Sequence, residues 1–166
     1  MLIHKLQMIS ETTGKLISWL TLFIVLITFS IVIMRYAFNS GSIAMQESVN
    51  YMYSLVFLIG IAYTFKYDEH VRVDIFYQKF TKKTKAWVNL GGCIFLLLPM
   101  VGFIFYTSWD YVLSSWELLE DSPDAGGLPF VYLLKSSILV FCILLLLEGF
   151  AKILISLNTI LKNGHS

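Results

Sequence analysis

The sequence predicts an all-α membrane protein with four transmembrane helices, both termini on the cytoplasmic side, in a single domain over residues 1–166. Three observations carry this. Of 166 residues, 57% are hydrophobic and only 14% charged, whereas soluble domains are about a quarter charged. Four apolar runs each approach the roughly 20 helical residues that a 30 Å hydrocarbon layer requires. Lys and Arg fall almost entirely in alternate connections between those runs, as they do in multi-span proteins.

The first helix is expected over about 16–36. Leu16 to Met34 carries no charge and the run closes at Arg35-Tyr36. The polar start has no small-residue cleavage site, and the apolar run exceeds a signal-peptide core, so a retained helix is expected. The second helix spans about 47–66, charge-free from Ser48 to Phe65 and closed by Lys66. The third spans about 86–109 and contains Pro99, which removes a backbone donor and should kink it. The fourth, about 129–156, begins at Leu128-Pro129 and is interrupted by Lys135 and Glu148. Trp19, Tyr36, Tyr51, Tyr67, Trp87, Trp109 and Tyr132 mark the ends, where amphipathic rings meet headgroups.

Between the second and third helices, Val73, Phe76, Tyr77, Phe80 and Trp87 fall within one arc at helical spacing, with Lys79, Lys82, Lys83 and Lys85 outside it. This predicts an interfacial amphipathic helix over about 73–85; the alternative is a solvated basic loop. Ten basic residues (Lys5, Lys15, Lys66, Arg72, Lys79, Lys82, Lys83, Lys85, Lys152 and Lys162) lie on one side, and Arg35 and Lys135 on the other. The positive-inside rule puts the ten in the cytoplasm. The 110–127 connection is then external, and it is acidic, with Asp110, Glu117, Glu120, Asp121 and Asp124.

Nothing in the pattern points to catalysis or to a cofactor. His4, His70 and His165 lie in tails or loops, and Cys93 and Cys142 sit in apolar runs without a Cys-x-x-Cys spacing. No phosphate-binding glycine loop, metalloprotease pair or serine–lysine motif occurs. Net charge is +1, which offers no field for nucleic acid. The informative groups are charges at membrane level. Lys135 and Glu148 are thirteen residues apart on one helix, about 20 Å along its axis, so they cannot pair and no register places both outside the core. Side chains lean toward a helix N-terminus, so Lys135 can snorkel outward while Glu148 leans inward and needs a partner or a proton. The alternative for Glu148 is the inner interface in a shifted register. Arg35 and Glu47 flank one short connection and could pair across it or anchor independently.

Short motifs then recur in order on this frame. Arg35-Tyr36-Ala37-Phe38 is followed by Glu47. His70-Val71-Arg72-Val73-Asp74 lies in the basic connection. Ser115-Trp116-Glu117, Ser122 and Gly126-Gly127-Leu128-Pro129 precede Lys135. In these, over nearly its whole length, the chain resembles the DctQ-type small membrane subunit of tripartite ATP-independent periplasmic (TRAP) transporters. The resemblance implies a non-catalytic scaffold, partnered by a large membrane subunit that carries substrate and sodium in an elevator-like movement. It also implies a periplasmic substrate-binding protein that captures an organic acid. It places the chain in the bacterial inner membrane, with sodium bound by the large subunit and no cofactor on this chain. Arg35, Glu47, Arg72, Asp74, Glu117, Ser122, Pro129, Lys135 and Glu148 become candidate interface or structural residues. Glu148 departs from the family pattern, in which a neutral polar residue such as Gln is expected. The alternatives are a self-sufficient four-helix transporter or channel acting as a homo-oligomer, which would need an ionisable midplane site, and a thiol-oxidising membrane enzyme, which would need external cysteine pairs.

Overall fold

The computed structural model describes residues 2–66, 77 and 79–162. It consists of helices α1 (Leu2–Ala37), α2 (Ile43–Lys66), α3 (Lys82–Gly92), α4 (Leu98–Glu117) and α5 (Val131–Lys162), with a π-helical turn, Cys93–Leu97, joining α3 to α4. The described residues contain no strand. Four stretches are long and apolar enough to cross a membrane: Thr12–Ala37, Ile43–Phe65, Lys82–Glu117 and Val131–Leu161.

Each end has a local cause. After α1, Asn39 takes a left-handed conformation (φ 49°), which Asn tolerates better than most side chains. This returns the Ser40 amide to the Met34 carbonyl at 3.0 Å. Ser42 then caps α2, its hydroxyl accepting from the Met45 amide at 3.4 Å. Thr81, in extended backbone, caps α3 by accepting from the Thr84 amide at 3.2 Å. α4 closes in a Schellman-type turn: Leu119 at φ 45° donates to the Trp116 carbonyl, and Glu120 donates to the Ser115 carbonyl at 3.0 Å.

These caps correct several expected boundaries. The third span begins at Lys82, not near 86, because Thr81 supplies a cap before the lysines. It runs to Glu117, not 109, because nothing ends the hydrogen-bond ladder before the turn at Leu119. Lys82, Lys83 and Lys85 thus form the first turn of a spanning helix. Of the expected interfacial helix, residues 73–76 and 78 lie outside the described residues. Tyr77 and Phe80 make an edge-to-face ring pair, and the Tyr77 hydroxyl donates to Asn89 Oδ1 at 3.1 Å. This folds the segment's end back on α3.

Pro99 is accommodated by a change of register. Immediately before it, the Leu98 amide bonds the Cys93 carbonyl, one residue farther back than in an α-helix. The wider turn takes up the ladder where proline can contribute no donor.

The helices do not form a closed ring. α5 is the common partner, packing on α2, on α4 and α3, and less extensively on α1. α1 packs chiefly on α2, while α2 and the third span scarcely meet. The core lies along α5. Phe141, Cys142 and Leu145 surround Val101 of α4, with Leu58, Ile61 and Phe65 of α2 and Leu97 packed around them. Outward faces are apolar: Trp19, Phe95, Phe103 and Tyr106 are largely exposed, as suits a lipid-facing surface.

Candidate functional site

Glu47 and Lys135 anchor two stations at the 118–130 connection, and a third ionisable residue, Glu148, is buried in the core. The first station is built on Glu47, in the opening turns of α2. Its Oε1 accepts a short hydrogen bond from the Ser122 hydroxyl, and its Oε2 accepts from the Leu128 backbone amide at 2.6 Å. The Ser122 hydroxyl in turn accepts from the Asp124 amide at 3.1 Å. One carboxylate thereby fastens a connection about 80 residues away in sequence. Gly127 makes room for it: a Cβ there would lie 2.3 Å from Ser122 Oγ and 2.7 Å from Glu47 Oε1.

The second station is built on Lys135, one turn into α5. Its ammonium forms a close ion pair with Glu120 Oε2 and lies 3.9 Å from the centre of the Tyr111 ring, within cation–π range. Glu120 Oε2 also accepts from the buried Ser115 hydroxyl at 2.6 Å. These two donors, Lys135 first and then Ser115, hold the Glu120 carboxyl below its usual value, with desolvation opposing them. Beside the pair, Trp116 Nε1 donates to Ser136 Oγ at 2.7 Å, and its ring meets Tyr132 edge-on at 4.7 Å. The ends of α4 and α5 are thus locked through charge, hydrogen bonding and aromatic packing.

Glu148 is fully buried, and neither carboxyl oxygen has a hydrogen-bond partner. The residues one turn away on its own helix, Leu144, Leu145 and Ala151, are buried and apolar. Lys152, four residues on, places its ammonium 4.0 Å from the centre of the Phe65 ring.

Of the two alternatives for Arg35 and Glu47, a mutual pair or independent anchoring, the pair does not form. Glu47 is engaged by Ser122 and Leu128 instead, and Arg35 is exposed at the end of α1. Glu47, Ser122 and Lys135 are all held at the 118–130 connection. Pro129 is exposed and directly follows the Leu128 amide that reaches Glu47, and Glu117 is exposed at the end of α4. Arg72 and Asp74 lie outside the described residues. Sequence reasoning missed Glu120, Ser115 and Tyr111 as the setting of Lys135. The available signal was an acidic residue just past the end of the third span, on the side where the fourth begins. Among the described residues no group of three His, Cys, Asp or Glu is placed to hold a metal. Cys93 and Cys142 are buried and unbonded to each other.

What this geometry provides is a set of helices fastened at one end, with an apolar exterior. Among known proteins, the C4-dicarboxylate TRAP transporter small permease protein DctQ of Vibrio cholerae is 29% identical over 115 residues, covering 64% of this chain and 47% of that protein. The match thus spans about half the length of that relative. No solved structure matches. The family model for the DctQ component of tripartite ATP-independent periplasmic transporters matches residues 24–159, a stretch that includes Glu47, the whole 118–130 connection, Lys135 and Glu148, and the chain therefore belongs to that family.

Proposed function

We propose that this chain is the non-catalytic scaffold subunit of a sodium-coupled TRAP transporter in the bacterial inner membrane. It serves a large membrane subunit and a periplasmic binding protein that together import an organic acid. The observation that carries this reading is the family match over 24–159. The two fastened stations support it, because a scaffold must hold its spans in fixed relation. The same reading sets both termini in the cytoplasm and the 118–130 connection in the periplasm, supported by the ten-to-two division of Lys and Arg.

Two experiments test it. The tagged chain, purified from its native membrane, should bring down one much larger multi-span protein. Reconstituted alone in liposomes, it should move no organic acid under a sodium gradient. One observation favours a second reading, a self-sufficient transporter: the buried carboxyl of Glu148 inside a span. The scaffold reading expects Glu148→Gln to retain both assembly and transport. A fully assembled but inactive Glu148→Gln complex, or uptake by the isolated chain, would overturn it.

A further inference from the structure

The open arrangement around α5 leaves a groove that borders the second station and runs inward from it. α2 and α4 both lean on α5 without closing on each other, and a space of about 220 Å³ remains between them. Ser54 and Leu58 form one wall, Tyr111 the other, and Lys135, Ser137 and Ile138 the floor. The groove is graded. Ser54, Tyr111 and Lys135 lie at the end nearer the 118–130 connection. Leu58 and Ile138, each about one turn farther along its helix, lie deeper.

The polar end offers both hydrogen-bonding senses. An ammonium has three N–H donors. Glu120 takes one of those of Lys135 and the Tyr111 ring faces another, which leaves a donor for an incoming acceptor. The Ser54 hydroxyl donates to the Asn50 carbonyl at 2.9 Å and that of Ser137 to the Leu134 carbonyl at 2.6 Å, so both serine oxygens remain as acceptors. Glu120 cancels the charge of Lys135, so a simple anion gains little here. A group carrying both a phosphate oxygen and a donor, set on an apolar chain, satisfies both ends. A helix, about 10 Å across, could only lie over this groove, whereas its floor is recessed: the side chain of Lys135 is 14% exposed and Ser137 3%.

We propose that this groove holds one phospholipid, with its phosphodiester at Lys135, its headgroup hydroxyl or ammonium at Ser54 and Ser137, and one acyl chain along Leu58 and Ile138. The site belongs to this chain alone and does not depend on the transport role.

The test is native mass spectrometry of the full chain in mild detergent, after incubation with mixed phosphatidylethanolamine and phosphatidylglycerol. The unsubstituted chain should retain one phospholipid through washing. Ser54→Phe, which fills the groove from its wall and leaves Lys135 and Glu120 in place, should lower occupancy about tenfold, equivalent to about 1.4 kcal/mol. Phe103→Leu, on an outward face, should not change it. Ser54→Ala adds no bulk and should lower occupancy about threefold through loss of one acceptor, which keeps the test decisive if Ser54→Phe folds poorly. Added phospholipid should raise the melting temperature of the unsubstituted chain, while glycerophosphate should not. Retention of no lipid, full occupancy in both Ser54 variants, or equal stabilisation by glycerophosphate would overturn the proposal. So would a Ser54→Phe variant that keeps its lipid but loses a co-purifying membrane protein, because a protein helix would then cover the groove.

Discussion

Replacing Glu148 with Met should make the isolated chain more stable. Glu148 is 0% exposed, and both its oxygens lack a donor. A neutral polar group buried without its hydrogen bonds costs about 1–3 kcal/mol, and a charged one more, so the lower range bounds the gain from below. Met is unbranched, fills irregular space and removes that cost without opening a cavity. Taking about 2 kcal/mol, and about 2–4 °C per kcal/mol for a chain of this size, the melting temperature should rise by about 4–8 °C. The assay is loss of helical circular dichroism on heating in detergent. Glu148→Gln should give no such gain, because it keeps two buried polar atoms unpaired. The opposite ranking, with Met below Gln and both below the unsubstituted chain, would refute the reasoning. It would place a donor at the carboxyl, such as a buried water that requires two to four polar partners of its own.

Three further outcomes follow from the stations and from the charge division. Gly127→Ala should destabilise by about 1–3 kcal/mol, the range for overpacking, because its Cβ would meet Ser122 and Glu47; proteolysis of the 118–130 connection should rise in step, and an unchanged cleavage rate would remove Gly127 from the station. Glu120 titrates below its ordinary value of 4.5 in the folded chain, so its contact with Lys135 contributes stability above that value and loses it as pH falls through the lower, folded-state value. Melts from pH 7 to 3 should show this acid loss, and Lys135→Met should flatten it. For topology, cysteines introduced at Gln78 and Asp121 should be labelled from opposite sides by an impermeant thiol reagent, against little background from the buried Cys93 and Cys142; labelling of both from outside would sink the proposed orientation.

Length, polarity and charge made the four spans legible, because lipid imposes one dominant requirement on any segment that crosses it. Helix ends were less legible. The third span starts four residues before its apolar run and ends eight after Trp109, since caps at Thr81 and Leu119, not hydrocarbon thickness, decide where the backbone ladder stops. Glu47 and Ser122 were visible as separate motif residues, but not their hydrogen bond, which joins positions 75 apart. For Arg35 and Glu47, a short loop and opposite charge made a pair possible, with independent anchoring as the alternative. Two fixed donors from the far connection displaced Arg35, one of them a backbone amide that no residue pattern reveals. Lys135 was legible as a charge at membrane level, whereas its setting depended on the turn that aims Glu120 back at α4.

The central position of α5 also orders the protein's biogenesis. Chains emerge from the ribosome N-terminus first, and of the described helices α5 is made last. Until it inserts, α1 and α2 have each other, while the third span has almost nothing to lean on. The partners of Glu47 and Lys135 are likewise incomplete, because Leu128 and Lys135 come with the final quarter of the sequence. The first three spans must therefore wait in the bilayer as a helical hairpin and a lone helix. The last span then gathers them in one late step.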